Sequence, residues 1–300
     1  MHKPKMANTP IPDAPAHQQI FDPALRAARR TRAAAHFARH DFLYAHMRDE
    51  LLDRLSIVTR DLPDALVIGC PDTSARDALQ ALGKRVTCLD PSPVNADANG
   101  GVRGDEDSPH FADDSFDLVF ACGTLDTVND LPGALVLMRR ALKPDGLLLA
   151  AFFGAGSLPV LRTCLQEAEG ERPGAHIHPQ IDLRAAGDLM QRAGFALPVI
   201  DSDTLDVRYG SALTLMADLR GMGAGNMLRR RGAPLSRATL TRTCEAFAAR
   251  AEPDGKTREK FGIIYLSGWK PDPSQPAPAR RGSGTISLAQ ALMPQEKPES

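Results

Sequence analysis

The stretch DALVIGCPDTSARDALQALGKRVTCLD, residues 64–90, decides the fold of this chain. Its apolar run at 65–68 is typical of a strand that is buried on both faces of a parallel sheet. Any of the three residues at 72–74 can cap the helix that follows, and a β-branched strand at 85–89 comes after that helix. Strand, turn, helix and strand in this order predict one unit of a doubly wound, parallel α/β sheet.

An acidic residue stands at the end of the second strand of this stretch. Gly69 begins the turn after the first strand, and Asp90 follows at about the 20-residue spacing that lets an acid hydrogen-bond a ribose held over that turn. An acid that merely ends a strand in solvent has the same pattern. The spacing therefore favours a nucleoside contact at Asp90, with a solvated strand end as the alternative.

Composition is that of an ordinary globular protein. Apolar residues make up 43% and charged residues 24% of the 300 positions, and the net charge is −1. No overall charge therefore draws the chain toward nucleic acid or an acidic membrane. Five singly scattered cysteines indicate a reduced, cytoplasmic protein. The first residues lack the apolar core of a secretory signal, and no apolar run has membrane-spanning length, so we do not expect an integral membrane protein.

The rest of the chain divides by composition and periodicity. A long helix is predicted at 22–55. Within it, His36 and His40 have a spacing that two metal ligands can have, but no third ligand is near. Surface or packing histidines are therefore the favoured interpretation.

Further strands are predicted at 101–103, 116–121, 146–153, 195–200, 205–209 and 261–269. The expected segments are a disordered start (1–19), a helical extension (20–60), an α/β core (61–155), a second part with a substrate lid (156–270) and a flexible tail (271–300).

Several motifs resemble those of class I S-adenosylmethionine-dependent methyltransferases. FADDSFDLV (111–119) and LKPDG (142–146) are similar to the segments around the fourth and fifth strands of that family. Further segments resemble one branch, the bacterial relatives of the mitochondrial methyltransferase-like complex I assembly factors, which are also similar to biotin-pathway malonyl-carrier-protein methyltransferases. Those segments are FGAGSLPVLR (153–162), RAGF (192–195), LMADLRGMGAGN (215–226), IIYLSGWK (263–270) and ARRGSGT (279–285). The resemblance spans residues 20–291 and implies a Rossmann-like, seven-strand fold with an N-terminal helical extension and a C-terminal lid insert.

The resemblance also implies which positions would bind S-adenosylmethionine. In the family, the loop after the first strand lies under the methionine and ribose, an acid after the second strand binds the ribose hydroxyls, an acidic segment lies beside the adenine, and the end of the fourth strand approaches the methionine. The matching positions here are Gly69 and Cys70, Asp90, Asp105 and Glu106, and Ala121 and Cys122.

Four positions in this expected pocket depart from the family pattern. Val67 stands in place of an acid that helps to hold the cofactor's ammonium group, and Thr127 in place of an aromatic residue. Pro71 and Thr73 replace glycines; proline has no N–H to donate, and the branched threonine fills space beside a ligand. Together the four departures predict that S-adenosylmethionine binding is weakened, altered or lost.

Two functions follow from the resemblance. The leading hypothesis is an S-adenosylmethionine-dependent methyltransferase of the complex I assembly-factor type, acting on a protein or a small acid. The alternative is a non-catalytic or arginine-hydroxylating assembly protein for a subunit of respiratory complex I. His176, His178 and Tyr209 lie in the expected lid, where each could position an acceptor or take a proton, although a structural role is the more common one for such residues.

Overall fold

The computed structural model describes residues 19–108, 110–170, 174–232 and 234–275. Apart from Gln19, the start predicted to be disordered lies outside these ranges, as does the predicted flexible tail from residue 276 onward. Within the described ranges no helix has the length and apolar character needed to cross a membrane.

Helices and strands alternate along the described chain. The helices are α1 (Pro23–Ala34), α2 (Phe42–Ser56), α3 (Ser74–Ala81), α4 (Pro93–Ala98), α5 (Leu131–Ala141), α6 (Pro159–Glu169), α7 (Leu183–Arg192), α8 (Ala212–Gly221) and α9 (Arg237–Ala248). The strands are β1 (Asp64–Ile68), β2 (Arg85–Asp90), β3 (Val102–Arg103), β4 (Phe116–Cys122), β5 (Leu142–Phe153), β6 (Ala196–Tyr209) and β7 (Thr257–Trp269).

All seven strands form one sheet in the order β3-β2-β1-β4-β5-β7-β6. The first five are parallel, and β7 is inserted between β5 and β6 and runs antiparallel to both. The order reverses beside β1, so the carboxyl ends of β1, β2 and β4 meet at one edge, which is where open α/β sheets bind ligands. The predicted seven-strand fold is confirmed.

Helices cover both faces of the sheet because residues along a buried strand point alternately to the two sides. On one side Ala65 and Val67 of β1 pack with α2, α3, α6, α8 and α9. On the other side Leu66 and Ile68 pack with α5 and α7. The apolar run at 65–68 is therefore buried on both faces, as its composition predicts.

The N-terminal extension differs from the single long helix predicted at 22–55. Asp22 caps α1 as expected, accepting a hydrogen bond from the Leu25 N–H at 3.0 Å. The helix then ends at Ala34, and a short 3-10 turn leads to α2. The backbone leaves the helical region at His36 and His40, with φ of −129° and −134°. The break lets α1 and α2 take separate positions on the sheet's edge and its face.

The last part of the sheet also differs from prediction. The sequence indicates two short strands at 195–200 and 205–209, whereas β6 is one strand. Its acidic centre, residues 201–204, stays paired with β7 throughout. An edge strand tolerates acidic side chains because one of its faces meets solvent. The acidic composition of residues 201–204 therefore predicted a break between two strands, although the strand pairing is continuous there.

Candidate functional site

Gly69 begins the turn that follows β1 at the ligand-binding edge of the sheet. Its φ is +77°, and a Cβ added there would stand 2.6 Å from the Cβ of Thr124. Only glycine tolerates both the left-handed backbone and this close approach. The turn is thus held tightly between the ends of β2 and β4.

Asp90 ends β2, and its carboxylate is saturated by groups of the chain itself. Oδ2 accepts hydrogen bonds from Arg30 Nη2 at 2.5 Å and from the Cys70 N–H at 2.8 Å. Oδ1 accepts from the Ser92 N–H at 2.8 Å, from Arg30 Nε at 3.3 Å and from Asn95 Nδ2 at 3.4 Å. An ionised carboxylate offers about four acceptor sites. Asp90 is fully buried and has no capacity left for ribose hydroxyls.

A second guanidinium fills the acidic segment where the adenine was expected. Arg26 binds Glu106 in a bidentate pair, with nitrogen–oxygen distances of 2.6 and 2.7 Å. Arg26 Nη2 also donates to the Thr124 hydroxyl at 2.6 Å, and Arg26 Nε donates to the Thr127 hydroxyl at 3.0 Å. Asp105 stands 3.6 Å from Arg26 Nη1 and is half exposed. Thr127, the departure from an aromatic residue, thus serves as an acceptor for Arg26.

Burial and the opposite charges shift the pKa values of Arg30, Arg26 and Glu106. Burial alone would lower the pKa of Arg30, but the Asp90 carboxylate outweighs it and raises that pKa. The same balance, set by Glu106, raises the pKa of Arg26. For Glu106, burial acts to raise the pKa, and Arg26 reverses the direction and lowers it. Each guanidinium compensates a carboxylate that would otherwise be costly to bury.

The expected methionine end of the pocket is covered by α2. Ala121 and Cys122 are buried at the end of β4, and Gly123 follows with a φ of +63°. A Cβ on Gly123 would lie 2.2 Å from a ring carbon of Tyr44. Burial raises the pKa of Cys122 to about 12, so its thiol is not a nucleophile.

S-adenosylmethionine does not fit this arrangement of side chains. Arg30 and Arg26 hold the carboxylates expected to bind ribose and adenine, and Tyr44 covers the methionine end. The two residues that stand where the family has glycines offer no group to bind the cofactor. Pro71 has no N–H, and the Thr73 hydroxyl donates to Asp77 at 2.6 Å. The nucleoside site is closed by α1 and α2 in this conformation.

A separate cavity of about 290 Å³ opens beside the closed site. Its walls are mainly apolar, and Asp126 contributes a carboxylate that no other described side chain hydrogen-bonds. Burial raises the pKa of Asp126 from 3.8 to about 6, and the nearby Arg26 and Arg30 moderate that rise. The cavity joins a long apolar surface to one carboxylate and to the guanidinium groups of Arg29 and Arg220. The apolar wall and the carboxylate together suit a long side chain with a cationic end.

The three lid residues singled out in the sequence fall in different places. His176 and His178 line the cavity, and Tyr209 is not among its lining residues. His176 Nε2 lies 2.5 Å from Glu169 Oε1. His178 Nε2 accepts the Met227 N–H at 2.8 Å, and burial lowers the pKa of His178 to about 4. Both rings are therefore engaged by neighbouring groups of the chain. Burial raises the pKa of Tyr209.

Other sequence candidates have structural partners. His40 Nδ1 contacts Asp218 Oδ1 at 2.7 Å and His36 is exposed. In the part of the chain that the structure describes, no three histidine, cysteine or acidic side chains are grouped to hold a metal ion. The five cysteines form no disulfide.

Sequence reasoning missed Arg26, Arg30 and Asp126. The two arginines are four residues apart on α1 and therefore share one face of that helix. This spacing could have predicted the ion pairs, because two arginines on a buried face of a helix need acidic partners. Asp126 carried no such signal, because it lies in a short 3-10 turn between β4 and α5.

The fold and part of the chain match a known class of proteins. Residues 66–150 match the family described as "Methyltransferase domain". A Bacillus halodurans C-125 protein crystallised as a methyltransferase candidate has a TM-score of 0.53 at 14% identity, covering 75% of this chain and 99% of that one. The YcgJ protein from Bacillus subtilis has a TM-score of 0.51 at 17% identity, covering 76% and 99%. The chain has the class I S-adenosylmethionine-dependent methyltransferase fold.

Sequence similarity is more specific than the fold. The human protein named arginine-hydroxylase NDUFAF5, mitochondrial, is 34% identical over 291 residues, which are 92% of this chain and 84% of that protein. The zebrafish (Danio rerio) protein of the same name is 32% identical over 287 residues, 90% of this chain and 88% of that protein. A malonyl-[acyl-carrier protein] O-methyltransferase of Xylella fastidiosa is 33% identical over 171 residues, 57% of each chain. The chain belongs to the NDUFAF5 family.

Proposed function

We propose that this protein hydroxylates an arginine side chain of a protein partner, the activity that the name of its NDUFAF5 relatives describes. The similarity to the human relative covers 92% of the chain, and so includes the lid and the N-terminal helices as well as the sheet. In line with the resemblance described above, the partner is proposed to be a subunit of respiratory complex I.

Two guanidinium groups bound at the ligand-binding edge of the sheet are the observation that carries this proposal. Asp90 and Glu106 each hold one, and the hydroxyls of Thr127 and Thr124 accept further hydrogen bonds from Nε and Nη2 of Arg26. Such paired, charge-assisted contacts match the fixed fork of a guanidinium far better than they match a sugar or a base. These intramolecular pairs support the proposal by showing that carboxylates at this edge of the sheet bind guanidinium groups; a partner's arginine would need a further carboxylate nearby.

The neighbouring cavity supplies the position for a partner's arginine. Its apolar walls would pack against the aliphatic stem, and Asp126 would bind the guanidinium in the way Asp90 and Glu106 bind those of α1. With a pKa of about 6 in the free protein, the Asp126 carboxyl is mostly ionised at neutral pH. A bound guanidinium would lower that pKa further.

The reaction replaces a C–H bond of the arginine by C–O–H. With molecular oxygen as oxidant, one oxygen atom enters that bond, and two electrons from a reductant and two protons convert the other to water. The residues named here bind and orient the arginine. No step is assigned to S-adenosylmethionine, because its expected contacts are taken by α1.

Methyl transfer to the same arginine is the second candidate. It is favoured by the match of residues 66–150 to the methyltransferase domain. S-adenosylmethionine could reach Asp90 only if Arg30 withdrew, so this activity would require α1 to leave the site first.

Peptide mass spectrometry of complex I subunits tests the proposal. The subunits are taken from three kinds of cell: cells with the wild-type gene, cells without the gene and cells with the Asp126→Asn variant. We expect one arginine peptide to gain the mass of one oxygen atom only when the gene is present. Loss of one charge-assisted contact should lower the modified fraction about tenfold in Asp126→Asn.

Asp188→Asn is the matched control, because Asp188 is exposed on α7 and does not line the cavity. It should leave the modified fraction unchanged. A gain of one methylene mass on the arginine would favour methyl transfer and contradict hydroxylation. If every arginine peptide had the same mass with and without the gene, both proposed activities, hydroxylation and methyl transfer, would be contradicted.

A further inference from the structure

A second cavity, of about 620 Å³, lies between the outer face of α1 and the bend that follows α8. We call it the cationic cleft. Its charged and titratable lining consists of Arg29, Arg32, His36, Arg39, His40 and Arg220. Among the described residues, no acidic side chain lines it.

The arginines of the cleft contrast with those on the other face of α1. Arg26 and Arg30 are fully paired with carboxylates. Arg29, Arg32, Arg39 and Arg220, in contrast, form no ion pair with any carboxylate among the described residues. The acid adjoining the lining, Asp218, is paired with His40 at 2.7 Å. Four arginines are thus grouped with no carboxylate paired to them in the described part of the chain.

Arg29 is the clearest case. It is half-buried, and its buried Nε has no hydrogen-bond partner among the described residues. Burial lowers the pKa of Arg29, and the neighbouring Arg231, Arg32 and Arg220 lower it further. A half-buried guanidinium among like charges is unfavourable unless something outside the described chain supplies negative charge.

The glycine-dense bend is shaped around this cleft. A Cβ on Gly225 would lie 2.0 Å from Arg29 Nη1, and one on Gly221 would lie 2.1 Å from Cδ2 of His40. Side chains at those two positions would push the cationic groups away from the bend. The glycines are therefore accounted for by the close packing of Arg29 and His40.

The cleft adjoins the apolar cavity that Asp126 lines. Arg29, Arg220 and Gly225 line both. A peptide that inserted one long side chain toward Asp126 would therefore lay neighbouring residues over the arginines. Only a segment with negative charge at those neighbouring positions would be electrostatically complementary.

We propose that the cationic cleft binds an acidic segment of the protein partner, adjacent to the arginine whose modification is proposed above. The arginine enters the apolar cavity, and flanking aspartates or glutamates pair with Arg29, Arg32 and Arg220. The acidic flank selects the arginine to be modified and orients it.

Fluorescence anisotropy on the full-length protein tests this site. The probe is a labelled peptide with a central arginine flanked by glutamates. The control peptide has glutamines in place of the glutamates. We expect the glutamate peptide to bind about tenfold more tightly at low salt, with the difference shrinking as salt screens the exposed charges. The double variant Arg32→Gln/Arg220→Gln should lose about that tenfold preference.

Arg184→Gln is the charge-matched control, since Arg184 is exposed on α7 and lines neither cavity. It should bind both peptides as the wild type does. Equal binding of the two peptides, or equal loss in the control, would overturn the proposal. So would displacement of the peptide by inorganic phosphate or by phosphatidylglycerol vesicles at matched charge, which would indicate a general anion site.

The two proposals fail separately. Selective binding of the acidic peptide, with no oxygen added to any arginine in cells, would leave the cleft assignment standing and remove the hydroxylation. Oxygen addition without selective peptide binding would do the reverse.

Discussion

Asp90 ends β2 with its carboxylate turned into the protein, where Arg30 and two backbone N–H groups hold it. The spacing from Gly69 predicted that Asp90 would bind a ribose. The partner that the structure shows is a guanidinium from 60 residues earlier in the chain, not a ribose. Nothing in the local sequence of β2 encodes that partner.

Arg30→Ala should destabilise the protein strongly, because Asp90 would keep its buried charge without a counter-ion. Removing one member of a buried ion pair costs about 3–5 kcal/mol, and the remaining N–H donors favour the lower end, about 3 kcal/mol. Urea denaturation measures the change. Arg32→Ala, an exposed substitution on the same helix, should stay within about 0.5 kcal/mol of the wild type. Similar midpoints for the two variants would argue against a stabilising Arg30–Asp90 pair.

Asp126 predicts a pH dependence with a definite sign. Its pKa rises from 3.8 to about 6 in the folded protein because the charged form is desolvated. The wild type should therefore lose stability as pH rises from about 4 to about 6 and then level off. Asp126→Asn, which is neutral throughout, should be more stable by about 1–2 kcal/mol at neutral pH, allowing for partial exposure of the carboxyl, and equal to wild type below about pH 4. A constant difference across that range, measured by denaturant titration at each pH, would contradict the raised pKa.

At the scale of elements, α1 shows what the sequence could and could not predict. Its start was evident from Asp22 and from the proline behind it. Its end was not, because the Ala- and Arg-rich sequence continues with good helix propensity past Ala34. The break follows from packing: α1 presents arginines to buried acids, whereas α2 buries Leu43, Met47 and Leu51 against the sheet. Helical periodicity identifies a face but not the surface that the face covers.

The strands were more predictable than the site. β1, β2, β4 and β5 are short apolar runs bounded by turn residues, a pattern that leaves few alternatives. The site depends instead on contacts between distant segments, such as Arg26 with Glu106, separated by 80 residues. The acidic half of that contact was singled out because it matched a family position. The basic partner, Arg26, lies on α1, and the family's cofactor-binding positions include no residue of that helix.

At the scale of the whole molecule, one edge of the sheet has three adjoining regions of different charge. The acids that follow β2 and β3, Asp90 and Glu106, are neutralised by α1. The apolar cavity beside them retains the carboxylate of Asp126, and the cleft beyond has arginines that pair with no carboxylate among the described residues. In the first of these regions, α1 occupies the carboxylates expected to bind a nucleoside with its own guanidinium groups. A nucleoside ligand must therefore compete with α1.

Calorimetric titration with S-adenosylhomocysteine tests that claim most directly, comparing the wild type with Arg26→Gln/Arg30→Gln after thermal unfolding has shown that both are folded. Since binding to a site closed by its own side chains is weakened by the cost of opening it, we predict that the double variant binds at least about tenfold more tightly than the wild type. Wild-type protein that binds S-adenosylhomocysteine as tightly as the variant, or more tightly, would contradict the account.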